Sequence, residues 1–250
     1  MIFNLFSKGH QPEAQAPTTE SANTAATTEP AANAADNATA EAKSATKRVF
    51  NLIVLDESGS MQSIYQPALT GVNETLQTIR DAKIENDNQE HFVTLVTFDT
   101  GHYNEIYRCT PAEQAVDITR EQYRPNGGTP LYDAMGRAIT ELRGSVSPDD
   151  VVLVTIITDG YENASRQYTG KAIKELVETM RKQNWVFTYI GANQDVEAVA
   201  ESMSINNRLA FDANEESTRD MFAKESCSRK AFFSKLKHPD PVDFSEDYFL

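Results

Sequence analysis

Cysteine is nearly missing from this chain. Its two cysteines, Cys109 and Cys227, stand far apart without metal-ligand spacing, which excludes a disulfide scaffold and a zinc ribbon and reads as reduced thiols. No run approaches the roughly 20 apolar residues that cross a bilayer, and residues 1–6 are too short, and carry no charge in front, to be a secretory signal; the expected location is cytoplasmic. Basic clusters are missing as well. With a net charge of −14, little is left to neutralise phosphates, so no nucleic-acid partner is expected. The four histidines, His10, His91, His102 and His238, have no Ser or Cys partner at motif spacing. They read as surface or strand-end residues, and no catalytic residue is assigned.

One long segment lacks all large apolar residues. Residues 11–47 contain no Val, Ile, Leu, Met, Phe, Tyr or Trp, and 13 Ala and 7 Thr dominate them; such a stretch has nothing to bury and reads as a disordered tether. The short apolar segment before it, residues 1–10, reads as a frayed terminus, with a docking peptide or membrane contact as the sharper alternative. Residues 236–250 form an acidic-aromatic tail. An unstructured end is the default for it, and docking of its acids into a neighbouring molecule's site is the alternative.

What is present lies between these ends, over residues 48–235. Residues 49–55, 91–98, 150–157 and 185–190 are short apolar, β-branched runs, as buried parallel strands require. Residues 103–108 follow a turn at 99–101 and suit an antiparallel partner, and a weak strand is expected near 208–211. Apolar residues at spacings of three and four mark helices at 63–82, after Pro130 to about 142, 172–180, 194–202 and 215–235. The alternation specifies an α/β three-layer, Rossmann-like fold: a mainly parallel central sheet with one antiparallel edge strand and helices on both faces. Right-handed crossovers then bring the turns after Leu55, Phe98, Ile157 and Ile190 to one rim.

Oxygen donors collect on that rim. Asp56, Ser58 and Ser60 follow the first strand; alone, a D-x-S-x-S match has odds of roughly one in fifteen in a chain of this length. Thr129, read as the cap of a helix whose first residue is Pro130, and Asp159, after the central strand, complete two carboxylates and three hydroxyls. With no sulfur or imidazole among them, the set implies a hard cation, Mg2+ or Mn2+ with water rather than a Ca2+ cage. A partner's carboxylate is the natural further ligand. Glu57 reads as a solvated neighbour, with a self-ligand as the alternative, Asp99 as a turn residue and Asn193 as a helix cap, while Arg166 and residues 192–195 are candidates for partner selectivity.

Here the sequence resembles a known family, the von Willebrand factor A domains and integrin inserted domains with their metal-ion-dependent adhesion site. Asp56, Ser58 and Ser60, then Thr129, then Asp159-Gly160 match its three motif pieces in order over about residues 48–235. The resemblance implies that Ser58 and Ser60 bind the metal directly and that Asp56, Thr129 and Asp159 do so directly or through water. Residues 127–134, 157–166 and 190–193 look closest to small bacterial intracellular members, which implies a Mg2+-dependent adaptor that captures a protein partner's Asp or Glu. A metal-dependent hydrolase and a structural scaffold are the alternatives; no general base or P-loop lysine accompanies the motif.

Overall fold

The computed structural model describes residues 46–237, 244 and 247–249. The readings of residues 1–10 and of the tether up to residue 45 lie outside the described residues. Lys47, read as the tether's last residue, instead opens the first strand, pairing in register with Gln89.

The strands are β1 (Lys47–Asp56), β2 (Gln89–Phe98), β3 (Tyr103–Pro111), β4 (Val151–Thr158), β5 (Trp185–Ala192) and β6 (Asn207–Phe211), and their order in the sheet is β3-β2-β1-β4-β5-β6. All neighbours pair in parallel except β2 and β3, which are antiparallel with register shifts around Leu95. The continuous apolar runs of β1, β4 and β5 have this cause: both of their faces are covered, and every residue of β4 and β5 is buried.

Period-two alternation divides the core between the faces. Val49, Ile53 and Leu55 with Leu153 and Ile157 pack under α1 (Tyr65–Glu85) and α5 (Glu215–Lys235). Phe50, Leu52 and Val54 with Val152, Val154 and Ile156 pack under α2 (Leu131–Arg143), α3 (Gly170–Met180) and α4 (Val196–Ser202). The stripe Ala68, Leu69, Val72, Leu76 and Ile79 of α1 is buried as its spacing requires; each full Leu or Ile burial stabilises by about 1.5–3 kcal/mol. The chain enters α1 through a 3-10 turn, Gly59–Ile64.

Polar residues interrupt the α5 face. Arg229 of α5 reaches Asn51 (2.8 Å), Thr155 (2.8 Å) and Glu225 (2.6 Å), all buried. Tyr248, from the tail expected to be unstructured, is buried here too and donates to Glu225 (3.1 Å). Phe244 and Tyr248 also pack against Phe232. Aromatic burial therefore overrides the acidic composition that suggested a free end. Cys109 and Cys227 are unpaired, and among the described residues no helix is long and apolar enough to cross a membrane.

Candidate metal centre

The strand order reverses between β1 and β4: β1 leads to β2 on one side, β4 to β5 on the other. A crevice outside the carboxyl ends of the strands opens at such a switch point. Leu55 pairs with Ile157, so Asp56 and Thr158 end neighbouring strands and Asp159 follows at once.

The hydroxyl of Thr158 donates to Asp56 Oδ2 (2.6 Å), and the Ser58 N–H donates to Asp56 Oδ1 (2.7 Å). Both Asp56 oxygens are thus engaged by the protein. Burial, partly offset by these bonds, pushes the Asp56 carboxyl up to about 6, with Asp159 adding repulsion. Ser60 Oγ donates to Asp159 Oδ1 (2.5 Å) and lies 3.2 Å from Ser58 Oγ. Asp159 Oδ2 is buried without a hydrogen-bond partner among the described residues, and burial raises this carboxyl as well. Leaving a carboxylate oxygen orphaned and buried is costly, which marks it as a position where a partner is missing.

Thr129 comes from a third segment. A Cβ placed on Gly160 would sit 3.4 Å from Ser60 Oγ and 3.5 Å from Thr129 Oγ1, so these hydroxyls flank one space that glycine leaves open. All five predicted residues thus border one rim, and the donor set of hard oxygens fits a divalent cation such as Mg2+. Among the described residues no three His, Cys, Asp or Glu converge on a metal position; this rim relies on hydroxyls beside only two carboxylates.

Backbone pairing holds the segments together. Glu57 N donates to Phe98 O (2.8 Å), Asn126 N to Glu57 O (2.8 Å) and Gly59 N to Gly127 O (3.0 Å). Gly127 adopts φ 68°, which its lack of a side chain permits. Asn163 clamps Thr129 from both sides, accepting at Oδ1 from Thr129 N (2.8 Å) and donating its own N–H to Thr129 O (3.1 Å). Glu162 accepts from Tyr132 N (2.9 Å), and Asp133 accepts from the N–H groups of Arg166, Gln167 and Tyr168 (2.7–2.8 Å). The buried Tyr123 donates to Asp56 O (3.0 Å).

Four expectations are corrected. Glu57 is buried rather than solvated, because its carboxylate accepts the Arg124 N–H. Thr129 does not cap α2: the helix begins at Leu131 with Pro130 at the cap position and no side-chain cap bond. Asn193 is not the cap of α4 either. Asp195 accepts from Ala198 N (3.0 Å), whereas Asn193, at φ 56°, donates from its amide to Asp159 O (3.1 Å). His91 is interior rather than at the surface or a strand end. Asp99 is the expected turn residue, accepting from Gly101 N and His102 N. His10 and His238 lie outside the described residues. Asn163, Tyr123 and Thr158 are site residues that spacing does not single out; Asn163 and Thr158 lie within residues 157–166, but nothing in that stretch alone reveals their partners.

A model of the von Willebrand factor type A domain matches residues 52–224. No curated protein matches the chain. Solved structures with this fold include the PilB minor pilin from Streptococcus sanguinis (13% identity, TM-score 0.55, 78% of this chain and 64% of that one). The vWF domain of the type V pili tip protein Mfa5 from Porphyromonas gingivalis is also similar (10%, 0.55, 79% and 99%), as is the pilus adhesin SpaC from Lactobacillus rhamnosus GG (17%, 0.54, 75% and 30%). The chain thus spans 64% of the pilin and 30% of the adhesin.

Proposed function

The chain belongs to the von Willebrand factor type A domain family, and from that premise we propose that it is a divalent-cation-dependent protein-binding module. Asp56, Ser58, Ser60, Thr129 and Asp159 would hold the cation, Mg2+ or alternatively Mn2+, as a metal-ion-dependent adhesion site. The partner would be a protein that presents an Asp or Glu carboxylate. The observation that carries this reading is the buried, unpartnered Asp159 Oδ2 beside the Ser60 and Thr129 hydroxyls.

When bound, the cation supplies an open Lewis-acidic position to an incoming carboxylate. The chain's own residues prepare that position. Ser60 fixes one Asp159 oxygen and leaves the other uncommitted. Thr158 and the Ser58 N–H each hold one Asp56 oxygen, which fixes the orientation of this carboxylate at the rim. Asn163 and Asn193 hold the backbones of Thr129 and Asp159. The net charge of −14 disfavours a uniformly acidic partner, but screening beyond about 8–10 Å leaves one docking carboxylate unhindered. A cytoplasmic bacterial adaptor is the setting we propose, on the likeness of the motif stretches.

Titration calorimetry tests the site. Asp159→Ala, and separately Ser58→Ala with Ser60→Ala, should weaken Mg2+ binding at least about tenfold, 1.4 kcal/mol, with unchanged far-ultraviolet circular dichroism. Undiminished affinity in either variant defeats the assignment. A pull-down in Mg2+ against EDTA, repeated with Asp159→Ala, then identifies the partner.

A further inference from the structure

Beside the rim lies a cavity of about 310 Å³ that carboxylate capture at the rim does not use. It opens between the β2–β3 turn, the start of α2 and the loop that carries Arg166. It adjoins the oxygen site directly: Thr100 on its wall accepts the Gly128 N–H, and Pro130 on its wall follows Thr129.

The charges lining this cavity are unequally committed. Asp133 engages the three N–H groups of residues 166–168; although burial raises its pKa, those bonds and the Arg166 charge hold it below the usual carboxylate value. Asp99 accepts the N–H groups of Gly101 and His102 and stands 3.2 Å from His102 Nδ1. Both carboxylates thus turn their oxygens towards local donors. The cations keep more in reserve. Arg137 uses Nε on Glu141 (2.9 Å) and lies 3.9 Å over the Tyr103 ring. The exposed Arg166 side chain has no hydrogen bond or ion pair to any described residue. In a chain of net charge −14, the two guanidinium groups offset the two carboxylates, Asp99 and Asp133, on the same wall. Guanidinium forks suit a carboxylate better than any other side-chain group.

We propose that this cavity is a second acidic subsite. Resting on the function proposed above, the partner segment then carries two acidic side chains, one for the oxygen rim and another, a few residues along, for Arg137 and Arg166. The second acid then meets the guanidinium donors that Asp99 and Asp133 leave unused, which gives an acidic segment a charge-assisted contact on a strongly acidic domain.

Blocked peptides Asp-Gly-Glu, Asp-Gly-Gly-Glu and Asp-Gly-Gly-Gly-Glu, each against its Gln counterpart, test this by nuclear magnetic resonance titration of the full chain in Mg2+ and in EDTA. At one spacing the Glu peptide should bind at least about fivefold tighter than its Gln counterpart, shifting the Arg166 Nε–H resonance. Arg166→Gln and Arg137→Gln should each erode that preference while Mg2+ affinity and binding of the Gln peptides stay unchanged. Arg166 is exposed, so its replacement leaves the core intact. Equal binding of Glu and Gln peptides, with Mg2+ dependence intact, overturns the subsite and leaves the rim. A preference that survives both Arg substitutions likewise overturns the subsite. An Arg-dependent preference that persists in EDTA upholds the subsite and overturns the rim as anchor. No binding of any peptide at millimolar concentration overturns both.

Discussion

His91 lies inside β2, its ring 4.4 Å from that of Phe233 and its Nε2 3.0 Å from Gln89 Oε1. Burial, reinforced by the Arg229 charge, lowers its pKa from 6.5 to about 4. The unfolded chain therefore binds more protons than the folded one between those values. The resulting stability is complete above pH 6.5 and is lost as pH falls through the folded pKa, by about 3 kcal/mol. Because the raised Asp56 carboxyl acts with the opposite sign in the same window, the readout is the difference: denaturant unfolding from about pH 7 to pH 4 should cost the wild type about 3 kcal/mol more than His91→Gln, and parallel profiles would refute the assignment. His91, Glu57 and Asn193 depart from what their sequence neighbourhood suggests for one reason. The partners that define them, Phe233, Arg124 and Asp159, are more than 30 residues away, whereas local pattern reports only neighbours.

Helix packing depends on two glycines. A Cβ on Gly71 of α1 would come within 2.0 Å of the Phe222 ring of α5, and one on Gly136 of α2 within 2.4 Å of the Tyr168 ring. Gly71→Ala should destabilise by about 1–3 kcal/mol through overpacking, exceeding the up to about 1 kcal/mol that alanine gains in helix propensity. At Gly101 a Cβ meets only Asp99 Oδ1 at 3.4 Å, so Gly101→Ala should stay within about 0.5 kcal/mol. Urea midpoints for the two variants check this, and equal midpoints would contradict it. The existence and order of the helices were legible from the 3.6-residue period; their closest approaches were not, because a glycine in a helical pattern looks the same whether it faces solvent or a ring.

At the scale of the molecule, the buried Glu225–Arg229 pair joins α5, β1, β4 and the tail through Asn51, Thr155 and Tyr248. Arg229→Ala should cost about 3–5 kcal/mol by leaving Glu225 unpaired, and Tyr248→Phe about 1.5–3 kcal/mol. The double variant should lose less than the sum, since both touch one carboxylate; additive urea stabilities would argue against a shared network. The fold was largely readable in advance, because period-two and period-3.6 patterns, with right-handed crossovers, leave few ways to order six strands. The rim was readable for a related reason. Asp56 ends a strand, Asp159 follows one and Thr129 lies just before a helix, and the topology gathers such ends on one side of a sheet. Sequence by itself therefore determined the layers, the strand alternation and the residue types at the oxygen rim, since these follow from local periodicity and chain connectivity. Only the tertiary structure decided which Asp159 oxygen stays unpartnered, which asparagines hold the site, and that Arg137 and Arg166 line a common cavity. Those features are set by distances between segments far apart in the chain, which no local pattern encodes.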